Sequence, residues 1–438
     1  MLIHDQQRLE LLEYACQELA DHRDCVPGEP FYDPRRRSVW DRARTTRAYG
    51  TLGEYSAAAF FTLAPTLKST LKEQPLEFLA AGLADASKYY ETSGTTGAPT
   101  PTPRLAQDMI WNSAAVCEAW RPLLADDDRV AILMPSDLVP VGDLIVSVCE
   151  LLELPHVRAY PFATGISDWD RILEVWQTLR PTAVVVAPGA VIQFTRLLKR
   201  RGVLDDVAST IDRLLPLGEV NTPALRRRLR QWWGADVYDA SYGSTETGTL
   251  AASCGCGNQH LLTTTNYCEL FTSEGLTTPT AGAAGTLVVT PLHQQARPLL
   301  RLDTGDHVTV SATSCPCGRP TPTITVQGRA QDAMLVHGAP LTTRAVEEVV
   351  YALAGTTGYL IETDSDGTLA GLILERDVVW EREQEPALID AIQERSRETI
   401  GLAWDRIDFV NALPPQTKSG AAQKNWKRSN FRILETSA

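Results

Sequence analysis

Residues 91–100 read ETSGTTGAPT, and Ser93, Gly94, Thr95, Thr96 and Gly97 supply only hydroxyls and glycine backbone. Such a loop can wrap a polyphosphate with backbone N–H and side-chain O–H groups. It is not a Walker loop, because no Gly-Lys-Ser/Thr follows. No lysine lies between Tyr89 and Arg104. Phosphate charge bound here would have to be neutralised from elsewhere in the chain. Sulfur signals a second chemistry. CGCGNQH brings Cys254, Cys256 and His260 together, and CPCGRP adds Cys315 and Cys317. In a chain whose thiols stay reduced, tight cysteine pairs point to a metal rather than to disulfides. These soft and borderline donors suit tetrahedral Zn2+. Cys16, Cys25, Cys117 and Cys149 stand alone and read as small buried hydrophobes.

Three further stretches have types suited to nucleotide chemistry. YGSTETG spans Tyr242–Gly248, RLDTGD spans Arg301–Asp306, and GRAQD spans Gly328–Asp332. Each alone is also good turn chemistry. Their order and spacing behind a Ser/Thr/Gly loop are much harder to reach by chance.

The elements that must position these motifs follow from pattern. Residues 1–88 look mostly helical, broken at Pro27, Pro30, Pro34 and Pro65. From about Arg129, strands and helices alternate: RVAILMP, LIVSVCELLEL, HVRAYPF, WDRILEVWQTLR, PTAVVVAP, then two helices and ADVYDASYG. That alternation implies a parallel sheet covered on both faces. After about Thr247 the chain turns β-rich, with GTLVVTPL and TPTITVQG. From Arg329 a segment of strands and one long helix reads as a small α+β domain. The expected class is therefore α/β. A large N-terminal domain (1–328) has parallel sheets flanked by helices and a β-rich, zinc-binding sub-domain at about 249–328. A small C-terminal domain (329–438) follows. The run RRRLR at Arg226–Arg230 reads as a solvated helix face.

Composition excludes several partners. The chain has 438 residues and a net charge of −13, so a nucleic-acid backbone is not an expected ligand. The N-terminus is an acidic amphipathic pattern with no basic start, apolar run and cleavage site, so no signal peptide is expected. No apolar run reaches the length of a membrane span, and a cytoplasmic protein is expected.

Taken together, SGTTGAPT, YGSTE, TGD and GRAQD resemble the adenylate-forming superfamily over about Lys88 to Lys424. This superfamily holds acyl-CoA synthetases, ligases and peptide-synthetase adenylation domains. Within it the chain is most similar to the phenylacetate–CoA ligase group, which also has SGTTGxPT without a lysine, and a Cys/His metal site. EPFYDPR and LAPTLKSTL add weakly to that resemblance.

The resemblance implies a two-step reaction. A carboxylate attacks the α-phosphate of ATP to give an acyl-adenylate and pyrophosphate. A thiol of CoA or of a phosphopantetheinyl carrier protein then displaces AMP. The small domain rotates between the steps. It also implies residue roles. Ser93 to Gly97 cradle the β- and γ-phosphates. Tyr242 stacks on adenine, and Gly243 permits a close turn. Thr245 offers a hydroxyl to phosphate, and Glu246 is an oxygen ligand for Mg2+. Asp306 accepts the ribose hydroxyls, and Arg329 reaches ribose or phosphate oxygens. Gly218 and Glu219 line the adenine pocket. The group's metal pattern maps onto Cys254, His260, Cys315 and Cys317 as a structural Zn2+ site, leaving Cys256 spare.

The chain departs from the family at two places. The family lysine that contacts the carboxylate and α-phosphate has Ala421 in its position, within SGAAQK. The hinge position before Asp332 is Gln331, where relatives carry an acidic residue or lysine. The expected acid is aromatic, with its pocket drawn from about Pro135–Gly165 and Leu215–Ser241. An aromatic amino acid would need a carboxylate for its ammonium, for which Asp137 and Asp143 are the candidates. A homologue that binds nucleotide but has lost catalysis, with Ala421 as its support, is the reading from another class. A homodimer is compatible with all of these.

Overall fold

The chain folds as two units of interleaved sequence, residues 1–128, 135–158 and 239–327 in one, and 129–134, 159–238 and 328–438 in the other. The computed structural model describes residues 5–92, 99–163, 165–329, 333–414 and 430–434. It is a mixed α/β structure, the class expected from the sequence.

The first unit packs helices against an antiparallel sheet. Asp5 starts the helix Gln6–Asp21 by accepting the Gln7 N–H at 2.9 Å, and Pro30 sits in the first turn of Glu29–Ala43. Both satisfy or remove an orphan donor of a first turn. The sheet runs in the order Gly275–Thr277, Asn266–Thr272, Ala284–Pro291, Leu302–Val310, Thr323–Gly328, Gln259–Leu261, Gly248–Ser253, Ser241–Ser244. Thr66–Leu67 joins it in parallel with Leu302–Asp303. Trp40, Phe60, Tyr267, Leu299 and Leu300 form the core under the N-terminal helices. Trp40 and Phe60 are fully buried, and truncating either to alanine would cost about 3–5 kcal/mol.

The second unit holds the parallel strands Val130–Leu133, Ala183–Val186, Arg213–Pro216 and Asp236–Val237, paired in that order. Val130–Leu133 and Ala183–Val186 are buried at every residue, which explains their unbroken apolar sequences. Four helices accompany them, Trp169–Leu179, Pro188–Arg201, Leu204–Ala208 and Pro223–Trp233. The C-terminal segment of this unit has a four-stranded sheet in the order Arg406–Val410, Gly371–Glu375, Gly358–Asp364, Phe431–Leu434. Its long helix, Glu385–Ile400, ends on Gly401 at φ +73°, a conformation that glycine adopts without steric cost.

Two expectations need correction. Cys117 and Cys149 are buried, but Cys16 and Cys25 are exposed. The helix Gln6–Asp21 buries Ala15, Glu18 and Leu19, and Cys16 lies one residue round from that stripe. RRRLR is not wholly solvated. Arg228 donates to the carbonyls of Tyr351 and Ala354, at 3.3 and 2.8 Å. The neighbouring helix supplies further ties. Arg196 and Arg200 pair with Glu375 at 3.2 and 2.7 Å, and Lys199 pairs with Asp377. Thr222 Oγ1 donates to the buried Glu347 carboxylate at 2.9 Å. Basic side chains on these helices thus clasp the C-terminal segment.

Candidate nucleotide site and metal centre

The Ser/Gly/Thr loop stands on a hairpin. Lys88–Glu91 pairs with Pro101–Arg104, with Tyr90 opposite Thr102. Its stem is closed by Thr92 N–H to Thr100 O at 3.1 Å and Thr100 N–H to Thr92 Oγ1 at 2.9 Å. Ser93, Gly94, Thr95, Thr96 and Gly97 themselves lie outside the described residues, as does Ala421.

Two buried arginines hold this stem. Arg297 donates to Pro101 O at 2.7 Å and Thr102 Oγ1 at 3.0 Å. Arg104 reaches across to the carbonyls of Thr245 and Glu246, at 2.7 and 3.0 Å. The hairpin stem and the YGSTE turn are thereby tied by one guanidinium. That turn is tight. A Cβ on Gly243 would stand 2.2 Å from Gly248 O, so only glycine fits there. Ser244 Oγ accepts the Thr247 N–H at 3.2 Å and fixes the bend.

Glu246 is buried, and its carboxylate faces Lys68 Nζ at 3.4 Å. Burial pushes this carboxyl up, but Lys68, a backbone N–H and Arg297 outweigh it and hold it below the usual glutamate value. Glu246 is therefore an anion at neutral pH, as an Mg2+ ligand must be. Burial depresses Arg104, and it depresses Arg297 to about 9, with Arg104 adding repulsion.

The Tyr242 hydroxyl donates to Asp306 Oδ2 at 2.8 Å. The register slips opposite Asp306's strand between Thr286 and Val288. Within that strand Gly305 has φ +71°, and Thr304 Oγ1 both donates to Leu287 O (2.8 Å) and accepts the Asp306 N–H (3.1 Å). This irregularity re-aims Asp306, the usual effect of a bulge near a site. The structure thus brings Tyr242 and Asp306 together in the first unit, and ties Thr245 and Glu246 to Lys68 and Arg104.

Gly218, Glu219 and Arg329 belong to the second unit. Gly218 has φ +87°, and Glu219 accepts the Gly189 N–H at 2.9 Å. Arg329 is half-buried. Lys68, Arg104 and Arg297 are site residues that sequence reasoning missed. Only the missing loop lysine hinted that cations would come from afar.

The sulfur cluster lies in the first unit. The donor atoms of Cys254, His260, Cys315 and Cys317 all fall within 4.8 Å of one another. Cys254 and Cys315 Sγ atoms are 3.6 Å apart, and Cys317 Sγ is 3.3 Å from His260 Nε2. A disulfide would need about 2.05 Å. The edges of a Zn2+ tetrahedron with S and N ligands run about 3.5–3.8 Å, close to these separations. His260 Nδ1 faces Thr321 O at 2.9 Å and Thr321 Oγ1 at 3.0 Å. A proton on Nδ1, given to that carbonyl, leaves the Nε2 lone pair for a metal. Burial raises the Cys254 thiol, but hydrogen bonds led by His260 outweigh it and lower it to about 6. Cys256 is exposed. The donor set fits a closed four-coordinate metal.

Residues 89–284 match the family described as AMP-binding enzyme. The phenylacetate-coenzyme A ligase of Thermus thermophilus is 25% identical over 315 residues, 69% of this chain and 68% of that protein. The phenylacetate-coenzyme A ligase of Aromatoleum evansii is 23% identical over 363 residues, 77% of this chain and 78% of that protein. A 2-hydroxyisobutyryl-CoA ligase crystallised in the postadenylation state superposes with a TM-score of 0.73 at 18% identity, over 98% of this chain and 89% of that one. ATP-bound MatB from Rhodopseudomonas palustris gives 0.52 at 18% identity, over 79% and 68%. At that identity the superpositions speak for the fold. The family match and the two relatives place the chain beside the AMP-forming CoA ligases of the adenylate-forming superfamily. Within that superfamily it stands near the phenylacetate–CoA ligase group.

Proposed function

We propose that this chain activates a small aryl acid as its adenylate and passes the acyl group to the thiol of CoA. The observation that carries the reading is the joining, in one unit, of Tyr242 with Asp306 and of the loop stem with Glu246 through Arg104. In the first step the acid's carboxylate oxygen bonds to the α-phosphorus of ATP and pyrophosphate leaves. In the second, the thiolate attacks the acyl carbonyl and AMP leaves. Tyr242 would present its ring to adenine while its hydroxyl holds Asp306 ready for the ribose hydroxyls. Glu246 would bind Mg2+, which neutralises phosphate charge when present. Ser93 to Gly97 would wrap the β- and γ-phosphates, and Thr245 would add a hydroxyl. Gly218 and Glu219 would edge the adenine pocket. Arg329 would reach the nucleotide as the segment from 329 onward changes position between steps. Zn2+ on Cys254, His260, Cys315 and Cys317 would staple the β-rich segment, with no part in the chemistry.

One observation removes Asp143, one of the two candidate partners for an ammonium group, and leaves only the exposed Asp137. The Asp143 carboxylate is already engaged by Lys88, by the Tyr90 hydroxyl at 2.9 Å and by Arg158 at 3.2 Å. With three donors already bound, Asp143 is poorly placed to hold an ammonium group. Acid-dependent ATP–pyrophosphate exchange across aryl, aliphatic and amino acids tests the first step. AMP release with and without CoA tests the second. Exchange with none of the acids, from folded protein, would overturn the reading. Exchange without CoA-stimulated AMP release would move the acceptor to a carrier protein or an amine.

A further inference from the structure

The loop that should carry the phosphates has no lysine, and position 421 is alanine. Charge for the triphosphate must come from other residues. Lys68 opens the helix Lys68–Glu73, directly after Thr66–Leu67. The pairing of Thr66–Leu67 with Leu302–Asp303 anchors it beside the strand that carries Asp306. Its side chain is 27% exposed and meets a Glu246 side chain that is only 8% exposed, at 3.4 Å. That is long for a charge-assisted hydrogen bond, which closes to about 2.7–2.9 Å. The pair is a loose one.

The surroundings hold more positive than negative charge. Arg104 and Arg297 are buried, and each interacts with Glu246. Arg104 also faces Asp108. Among these described residues, three cations (Lys68, Arg104, Arg297) against two carboxylates (Glu246, Asp108) leave a surplus of one positive charge. Arg104 Nη1 and Arg297 Nε have no hydrogen-bond partner among the described residues. Buried donors and charge left unmatched are costly, and an arriving anion would satisfy them. The arginines cannot travel, because their other N–H groups are fixed to Thr245 O, Glu246 O, Pro101 O and Thr102 Oγ1. Lysine can. Its charge sits on a flexible four-carbon stem and moves without backbone change.

The geometry points to Lys68 as an exchanging counter-ion: it neutralises Glu246 in the empty site, then yields that carboxylate to Mg2+ and turns to the triphosphate when Mg·ATP binds. This rests on the nucleotide site proposed above. It supplies, from the helix that begins within LAPTLKSTL, the charge that the loop and position 421 lack.

The test is calorimetric binding to wild type, Lys68→Met and Lys68→Arg, with Mg2+ and a non-hydrolysable ATP analogue, and separately with adenosine. Lys68→Met should weaken the analogue by about 10- to 100-fold, the worth of a hydrogen bond to a charged group. Adenosine should bind all three proteins alike, which also shows that the variants fold. Lys68→Arg should keep most of the affinity. Mn2+ titrated without nucleotide should bind Lys68→Met more tightly than wild type, since Glu246 has lost its competitor. Unchanged affinity for the analogue, or an equal loss for adenosine, overturns the assignment. Wild type that binds the analogue but exchanges pyrophosphate with no acid overturns the proposed function and leaves Lys68 in its role.

Discussion

Two buried carboxylates in the same unit are held in opposite ways. Glu269 meets Arg301 through two bonds of 2.7 and 3.0 Å. The remaining Arg301 donor caps the carbonyls of Phe60, Phe61 and Leu63. These bonds also hold Arg301 at φ +47°, a backbone region that side chains other than glycine rarely adopt. The pair is saturated and closed. Glu246 instead accepts a backbone N–H and the Ser244 hydroxyl and meets one loose cation at 3.4 Å, beside two arginines that each keep an N–H group without a partner among the described residues. The Cys/His cluster would join the first kind once a metal fills it, since its four donors converge on one another. A saturated polar cluster fixes structure. An unsaturated one leaves capacity for a ligand, and burial gives that ligand a strong welcome.

Breaking the closed clusters should cost stability and spare the site. Cys315→Ser should have the largest effect, because a structural zinc contributes an apparent 10 kcal/mol or more, on the order of the whole folding free energy. Metal analysis of protein purified without chelator should find about one zinc per chain, falling with Cys315→Ser and not with Cys256→Ser. A zinc-free wild type would remove this site from the comparison. Arg301→Met should cost about 3–5 kcal/mol in denaturant unfolding, because it strands a buried carboxylate. Its affinity for an ATP analogue should match wild type once folded.

Breaking the open cluster should do the reverse. Glu246→Gln should lower pyrophosphate exchange by about 10²–10³-fold with a melting temperature near wild type. Near-normal exchange would show that Glu246 binds no metal. Ala421→Lys should raise adenylation by a similar about 10²–10³-fold, with thioester formation from preformed acyl-adenylate little changed. A neutral result, with Lys424→Ala abolishing adenylation, would shift the register of the C-terminal motif. The smallest change is Tyr242→Phe. It removes the hydroxyl's hydrogen bond to Asp306, worth about 0.5–1.5 kcal/mol, so KM for ATP should rise roughly 2- to 10-fold.

What could be read in advance was what local pattern determines. The helix Glu385–Ile400 coincides with the amphipathic run EPALIDAIQERSRETI. Ala183–Val186 fills the apolar core of PTAVVVAP. The four metal-type donors were legible because sulfur and imidazole at tight spacing have few other uses. Tyr242 and Asp306 stand 64 residues apart, and only family resemblance could pair them. Lys68, Arg104 and Arg297 escaped notice for a physical reason. A charged residue's partner is chosen by tertiary approach, and nothing in LAPTLKSTL or PTPR records that approach. The fate of Cys16 was hidden likewise, because one residue of helical rotation separates a buried stripe from solvent.

The clasp on the helix Pro188–Arg201 makes dissolved salt a lever on this protein. Arg200 is 53% exposed where it meets Glu375. Its attraction is screened within about 10 Å at 0.1 M ionic strength. Arg196 and Lys199 are better sheltered, at 18% and 14% exposed, and Thr222–Glu347 is a buried hydrogen bond that salt hardly touches. Potassium chloride should therefore loosen this junction in order, the Arg200 tie first and the Thr222 tie last. The segment after Gly328 would swing about Thr222 long before it let go.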